Sequence, residues 1–377
     1  MAASGLPFAC AALGTVAVAQ APDPLPSSLP AELRQPLVRF WERSLSVGLG
    51  SGSKDNVALS HAAPESSAFI RSSLEASFFR LPLDGTQVTL FLGADDTRYL
   101  SSKSVDHETT AFSQCEWRRL LGDGWELGLG VEGTYVDQVI DLSVTETNRE
   151  AVLVRGAGVT VRPGARRDWS GRWWAALEAP GASHWFEETV DDSWQAGTKL
   201  TIGRSYAEKS EVNLSHEFTW RRGDQAPARD AAGAAITNRI RADGQHDFML
   251  AWRHDWDRQL RWRSVTKLAY RNSRDNGGGY FDYRRVQMSE QLRFRTSRWT
   301  LSVEARLGFY YYPIQTVAAD DPEKRQRTEF ACSARAEFKL APLLRLFAQF
   351  DREKTLSNLT LDEYTSNTFS GGLLLEF

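Results

Sequence analysis

Apolar and polar side chains alternate along most of this 377-residue chain, in segments of ten residues or more. The stretch EFACSARAEFKL shows it clearly, since every second residue from Phe330 to Leu340 is apolar or small. A period of two indicates β-strands with one apolar and one polar face. Soluble sheets usually use strands of about five or six residues, whereas about nine to eleven are needed to cross a bilayer. The pattern therefore predicts an all-β chain with membrane-spanning strands, and a soluble sandwich is the less favoured alternative.

Short and long connections alternate between these segments. The predicted short turns are Leu81–Gly85, Gly122–Gly124, Pro163–Asp168, Ser205–Lys209, Asp255–Arg258, Thr296–Arg298 and Ala341–Pro342. The predicted longer loops are Ser53–Pro64, Ser102–Thr109, Asp137–Glu150, Pro180–Ser193, Gly223–Asp243, Asn272–Gly279, Pro313–Arg327 and Glu353–Tyr364. This spacing predicts a closed antiparallel transmembrane β-barrel of about sixteen strands, with fourteen as the alternative. An even number of strands places both ends of the barrel at the rim with the short turns.

Composition excludes several classes of protein. The formal net charge is −3, from 45 basic and 48 acidic residues, so no dominant basic surface for nucleic acid is expected. No run of 18 apolar residues offers a transmembrane helix, while barrel strands give only a weak hydropathy signal. The cysteines Cys10, Cys115 and Cys332 are too far apart for a metal site or a disulfide framework. A single Cys115–Cys332 disulfide is the alternative.

The first residues have the features of an export signal. The apolar stretch Leu6–Val18 has the right length, and Ala17-Val18-Ala19 is a small-x-small cleavage pattern, although no Lys or Arg precedes it. We therefore expect a signal peptide at residues 1–20, with a disordered alanine-rich tail as the alternative. A proline-rich segment follows at 21–43, because its prolines exclude a central strand. The barrel is expected to occupy 44–377.

The chain ends TSNTFSGGLLLEF, and its alternation continues to the last residue. Signal peptide, alternating strands and terminal Phe together resemble the bacterial outer-membrane β-barrel proteins, a porin-like class, over about residues 44–377, without pointing to one family. Members of this class commonly end in a segment read by the barrel-assembly machinery, which here corresponds to Ser370, Gly372, Leu375 and Phe377; Leu375 stands where an aromatic is usual. The last strand must also pair with the first, for which the stretch from Ser44 is the candidate.

The resemblance implies a location in the outer membrane of a Gram-negative bacterium, with short periplasmic turns, long extracellular loops and a periplasmic 21–43 segment. It implies contact with outer-membrane lipid, lipopolysaccharide, the barrel-assembly machinery and small solutes. It implies no nucleic acid partner and leaves the oligomeric state open.

If the apolar residues face lipid, the alternate residues face the lumen. Three consecutive strands then carry a predicted basic wall, which consists of Arg253, Arg261, Arg263, Lys267, Arg271, Arg285, Arg293 and Arg295. Acidic residues are spread over the other strands. Two interpretations stay open: a pore that favours small anions, or cross-strand ion pairs that brace a narrow or plugged lumen. In the third long loop, Asp137, Asp141, Glu146 and Glu150 are expected to stay in solvent, with bending toward the basic wall as the alternative.

An enzyme is not expected. His61, His184 and His216 each follow a Ser, but neighbours in a strand point to opposite faces and do not form a nucleophile–base pair. His107 beside Asp106 is the remaining candidate, near the rim with the long loops. No catalytic, cofactor-binding or metal-binding residue is predicted. The sequence predicts a passive, weakly selective channel, with a loop-binding or plugged barrel as the alternative and a lipid- or peptide-hydrolysing barrel as a further one.

Overall fold

The computed structural model describes residues 41–82, 84–141, 151–169, 172–187, 190–207, 209–317 and 322–377. The predicted signal peptide and almost all of the predicted proline-rich segment lie outside these residues. No helix within the described ranges is long and apolar enough to cross a membrane.

The described residues form one sheet that closes on itself. Its strand segments are β1 Trp41–Lys54, β2 Ser67–Arg80, β3 Thr86–Tyr99, β4 His107–Gly122, β5 Trp125–Asp141, β6 Ala151–Asp168, β7 Trp173–Glu178, β8 Gly181–Glu187, β9 Ser193–Ser205, β10 Glu211–Arg229, β11 Ala235–Asp255, β12 Trp262–Asp275, β13 Tyr283–Arg295, β14 Trp299–Thr316, β15 Lys324–Ala341, β16 Leu344–Ser357 and β17 Tyr364–Glu376. The segments β7 and β8 are two parts of one barrel strand, because both pair with β6 and with β9. The predicted closed antiparallel barrel of sixteen strands is confirmed for these residues, and fourteen is wrong.

The barrel closes where β17 pairs with β1. The register runs from Ser46 opposite Glu376 to Lys54 opposite Thr368. Phe377 takes part as well: its N–H donates to the Leu45 carbonyl at 2.8 Å, and its carbonyl accepts from the Leu45 N–H at 3.2 Å. The last residue of the sequence is thus hydrogen-bonded to the first strand.

Glycine permits the close approach of strands at this closure. Gly372 lies opposite Gly50, and a Cβ atom at Gly372 would collide with the Leu49 carbonyl oxygen and the Gly50 Cα. The neighbouring Gly371 points to the other face, where the nearest atom to a Cβ would be the Phe347 carbonyl oxygen, at 3.3 Å. The two adjacent glycines therefore face very different surroundings.

Large apolar side chains cover the outside of the barrel. Leu45, Val47 and Leu49 on β1 are all exposed, as are Leu373 and Leu375 on β17. Side chains this apolar are stable in such numbers on an outer surface only against lipid. Tryptophans gather beside the short turns, where the class has an aromatic girdle; the exposed ones include Trp41, Trp125, Trp169, Trp173, Trp256, Trp262 and Trp299.

Two rims follow from the connections. The short-turn rim carries the turn between β4 and β5, where Gly122, Asp123 and Gly124 all have positive φ, a backbone conformation that glycine adopts at no steric cost. The long-loop rim carries the connections β1–β2, β3–β4, β5–β6, β8–β9, β10–β11, β12–β13, β14–β15 and β16–β17.

One predicted turn is wrong. Residues Pro163–Asp168 belong to β6, and the connection to β7 begins only at Trp169. Pro163 has no N–H to donate, and the facing strand is interrupted at Ala179 and Pro180, between β7 and β8. The Ala179 N–H still reaches the Pro163 carbonyl at 2.9 Å. The proline is therefore accommodated within the sheet by a matching break in its neighbour.

The longest predicted loop is also wrong in extent. Most of Gly223–Asp243 continues β10 to Arg229 and β11 from Ala235, which leaves only residues 230–234 as the connection. Arg241 packs its guanidinium on the Phe281 ring, 3.6 Å from the centroid. This segment is an extended hairpin held against the connection between β12 and β13. The alternative disulfide is wrong too, since Cys115 on β4 and Cys332 on β15 are free.

Replacing Gly372 with Ala is expected to reduce the fraction of folded barrel, because the added methyl group collides with the backbone of β1. The folded fraction can be measured by heat-modifiable migration on a gel after refolding. Gly371→Ala makes the same chemical change on the open face and serves as the control. Equal folded fractions for the two variants would contradict the close contact at the closure.

Candidate functional site in the barrel lumen

Most of the predicted basic wall lies on the inner face of three neighbouring strands. Arg253 is on β11, Arg263, Lys267 and Arg271 are on β12, and Arg285, Arg293 and Arg295 are on β13. These residues alternate with outward side chains such as Trp252, Leu268 and Val286, which are exposed on the lipid side. From here on, these seven residues are called the basic wall.

Arg261 does not join the basic wall. It lies in the turn before β12, where its Nε donates to the Asp257 carboxylate at 2.8 Å. This hydrogen bond lowers the pKa of Asp257 from its ordinary value. Arg261 therefore belongs to the short-turn rim.

Strand register arranges the basic side chains in tiers. In the upper tier, nearest the long-loop rim, Arg271 stands opposite Arg285. In the lower tier Arg263 stands opposite Arg293. Between them, Lys267 shares a row with Ser289 and, one strand further, Arg306. Tiers four residues apart on one strand are separated by about 13 Å along that strand.

The inner basic surface extends beyond the three predicted strands. Arg306 on β14, with Arg327 and Arg335 on β15, faces the same lumen, and Arg327 continues the upper row past Tyr310. The predicted basic wall did not include these three arginines, although they occupy the same alternate positions on β14 and β15. The alternation of apolar and polar residues was therefore sufficient to place these arginines in the lumen.

Three members of the basic wall are held by carboxylates. Arg271 donates to Asp247 at 2.6 Å, and Arg263 to Asp255 at 2.8 Å. Arg253 lies 3.8 Å from a carboxylate oxygen of Glu211. These residues therefore form the ion pairs that the bracing interpretation expects.

The other basic side chains lack such partners. Among the described residues no ion pair involves Lys267, Arg285, Arg293, Arg295 or Arg306. Arg285 donates to the Tyr310 hydroxyl at 3.4 Å, and this hydroxyl donates to Glu329 at 3.0 Å. Like charges directly opposite each other on neighbouring strands are destabilising. Because Arg263 and Arg271 are each paired with a carboxylate, the positive charge of these two rows comes mainly from Arg293 and Arg285 opposite them.

The facing strands differ in their charge arrangement. Arg71 pairs with Asp95 at 2.8 Å, Arg118 with Glu116 at 2.9 Å, and Arg162 with Glu132 at 2.9 Å. Each of these three arginines on β2 to β6 is paired with a carboxylate. An excess of positive charge is thus concentrated on β12 to β14.

The end of β5 crosses the lumen. Asp141 accepts a hydrogen bond from the Arg327 guanidinium at 2.6 Å, although β5 and β15 lie on opposite sides of the barrel. Val139 packs with Phe69 and Tyr99 of β2 and β3. The β5–β6 hairpin, whose tip 142–150 lies outside the described residues, therefore leans inward and narrows the lumen.

The expectation of solvated loop acids is wrong for Asp137 and Asp141. Asp137 is only 2% exposed and accepts hydrogen bonds from Arg155 at 2.8 Å. Asp141 makes the cross-lumen contact described above. Glu146 and Glu150 lie outside the described residues.

A second buried ion pair lies toward the long-loop rim. Arg325 on β15 is fully buried, and its Nε donates to Asp362 at 2.7 Å. The same guanidinium donates to Gln315 at 2.9 Å and lies 4.4 Å from the centroid of the Tyr312 ring. Asp362 belongs to a short 3₁₀ turn, Thr360–Asp362. This contact fixes the connection between β16 and β17 to the barrel wall.

The histidines do not form a recognisable catalytic group. His107 Nδ1 lies 2.8 Å from Asp106 and its Nε2 lies 3.3 Å from Asp137, so both ring nitrogens contact carboxylates. His216 and His246 lie on the outer face, with ring nitrogens 3.2 Å apart. Within the described ranges, no group of three or more His, Cys, Asp or Glu residues could hold a metal ion.

A closed hydrogen-bonded cylinder with an apolar exterior and a charged interior is the architecture of outer-membrane β-barrel proteins. The protein is a porin-like β-barrel of the bacterial outer membrane. The predicted class and location are confirmed. The segment ascribed to the assembly signal lies on β17 and at its end, with Leu375 and Phe377 exposed on the outside and Gly372 at the closure.

The chain resembles several solved structures in its architecture. No family model matches the chain, and no curated protein matches it. OccAB1 from Acinetobacter baumannii is similar at 8% identity and a TM-score of 0.48, covering 89% of this chain and 97% of that one. OccK9 (OpdG) from Pseudomonas aeruginosa is similar at 12% identity and a TM-score of 0.47, with 89% of this chain and 99% of that one covered. The anion-selective porin from Comamonas acidovorans is similar at 10% identity and a TM-score of 0.45, with 89% of this chain and 99% of that one covered. Likeness at this level does not extend to the solute.

Replacing Asp141 with Asn is expected to loosen the β5–β6 hairpin, because the ion pair to Arg327 is lost. The barrel should stay folded, since Arg327 retains Glu329 at 2.9 Å. Amide hydrogen exchange of residues 137–141 and 151–155 should become faster in the variant. Asp123→Asn, in a turn at the short-turn rim, is the matched control. Unchanged exchange in the Asp141 variant would contradict a hairpin held across the lumen.

Proposed function

We propose that this barrel is a passive outer-membrane channel for small solutes, with a weak preference for anions. The observation that carries the proposal is a set of inner-face cations that form no ion pair with any other described residue: Lys267, Arg285, Arg293, Arg295 and Arg306. A guanidinium binds carboxylate and phosphate groups through two parallel hydrogen bonds. An anion at Arg285 or Arg293 would supply the ion-pair partner that each of them lacks among the described residues.

The inward position of the β5–β6 hairpin supports small rather than large solutes. Asp141 reaches the far wall, so part of the cross-section is taken up by protein. The same carboxylate lies next to Arg327 and reduces the positive charge there. Attraction for anions is therefore expected to come mainly from the basic wall and Arg306.

The preference should be weak. In a water-filled lumen, a unit charge about 7 Å from an ion contributes only about 0.6 kcal/mol, or about a threefold change in occupancy. Several basic side chains in series steer anions without holding them tightly, which passive flow requires.

The plugged barrel is the main rival. The ion pairs of Arg263, Arg271 and Arg253 are the contacts expected of a braced lumen, and conductance distinguishes the two functions. The enzymatic alternative has weaker support, because the contacts of His107 among the described residues are with Asp106 and Asp137 and involve no nucleophile.

Single-channel recording of the refolded protein in a planar bilayer tests the proposal. We expect stepwise conductance and, in a salt gradient, a reversal potential on the anion-selective side. A silent membrane from protein shown to be folded would contradict an open lumen and favour the plugged barrel.

Changing Lys267, Arg285 and Arg293 together to Ser is expected to reduce the anion-to-cation permeability ratio about threefold or more, because three unpaired charges are removed from the lumen. The reversal potential in a salt gradient measures this ratio. The control changes Arg119, Arg258 and Arg298 to Ser, three exposed residues near the short-turn rim. An unchanged ratio in the first variant, or an equal loss in the control, would contradict a role of the basic wall in selectivity.

A further inference from the structure

An apolar groove crosses the outer face of the barrel. It has a volume of about 900 Å³ and runs from β14 to β2 over the closure. Its floor includes Ala334, Ala336 and Ala348, and the Phe350 and Phe369 rings stand beside them with centroids 4.6 Å apart. The groove therefore lies on the surface that faces lipid.

The sequence explains why a hollow forms here. The outward positions of β15 pass from Phe330 through small residues to Phe338, and Ala336 lies opposite Ala348 on β16. Ala348 in turn lies opposite Gly371. Small side chains on three neighbouring strands leave a depression between aromatic ones. Unfilled space forfeits dispersion contacts, so a flexible hydrocarbon chain is a suitable occupant.

Two cations stand on the same outer face toward the long-loop rim. Arg352 and Lys354 follow Phe350 at alternate positions of β16, and Arg352 is exposed. Neither has an ion pair or a side-chain hydrogen bond with another described residue. Arg352 lies about 20 Å above Leu344 along the barrel axis, given the usual rise and tilt of barrel strands. That height is near the extracellular edge of an apolar band about 25 Å tall.

Charge complementarity selects the occupant. Basic residues at the edge of a membrane attract anionic lipid headgroups. A second copy of this chain is a poorer match, because the outward carboxylates at a similar height are already bonded. Asp55 accepts from the Asn367 amide at 2.6 Å, and Asp96 accepts from Arg98 at 2.8 Å.

We propose that the groove and the two cations form a binding site for a phosphorylated, acylated lipid of the lipid A type in the extracellular leaflet. One acyl chain lies in the groove over Ala336 and Ala348, and a phosphate contacts Arg352 and Lys354. The site is on the outside of the barrel and is separate from the lumen. It does not depend on the channel function.

Native mass spectrometry of the purified protein in neutral detergent, titrated with lipid A, tests this site. Changing Arg352 and Lys354 together to Ser should weaken lipid A binding at least about tenfold, since two charge contacts are lost. Ala348→Phe, which fills the groove, should weaken binding as well. Zwitterionic phosphatidylethanolamine should bind the wild type less tightly and should not respond to the loss of the two cations.

Two matched control variants test whether the loss of binding is specific to this site. Arg119→Ser with Arg298→Ser removes the same charge at the opposite rim, and Ala196→Phe places the same ring on the outer face of β9. Both controls should bind lipid A as the wild type does. Equal binding of lipid A by all variants would overturn the proposal. A dimer that is lost in Ala348→Phe, with lipid A binding unchanged, would identify a second copy as the occupant and would overturn it too.

Discussion

Lipid offers no hydrogen bonds to a polypeptide backbone, and this constraint determines the structure of the barrel. Every N–H and C=O group in the membrane must find its partner within the sheet, so the sheet has no free edge. Closure of β17 onto β1 meets this requirement, and it includes the backbone of Phe377. The glycines at Gly50 and Gly372 allow the two strands to approach. Once the cylinder is closed, alternate side chains must face lipid and lumen, and the charge of the lumen follows from the sequence.

The strands and their faces could be predicted because the period of two is local. An exposed Leu49 and a lumen-facing Arg263 each follow from their neighbours in sequence. The turn predicted at Pro163 was wrong because Pro-Gly usually marks a turn, whereas here the break at Ala179 and Pro180 accommodates the proline within the sheet. The extension of β10 and β11 was missed for a different reason. Outside the membrane neither face of a hairpin must be apolar, so the alternation that marks a strand disappears.

The sequence predicts which cations face the lumen, but it does not predict which of them form ion pairs. Alternation placed Lys267 and Arg285 on the inner face, and it would equally have placed Arg306 there. Which cations are neutralised depends on the register between strands, which brings Asp247 to Arg271 but leaves Arg285 beside a tyrosine. The contact between Asp141 and Arg327 joins strands that are not neighbours in the sheet. Local sequence contains no information on such a contact, because it depends on the curvature of the whole barrel and on where a hairpin bends.

The separation of the basic tiers has a consequence for how ions experience the wall. At physiological ionic strength, about 0.15 M, the screening length of the solution is about 8 Å, shorter than the roughly 13 Å between tiers. Each tier therefore acts on a passing ion as a separate weak site, and the wall is not felt as one continuous field. In dilute medium, about 0.01 M, the screening length grows to about 30 Å and the tiers merge. The same side chains thus act as separate weak sites for anions at high ionic strength and as one continuous attractive potential at low ionic strength.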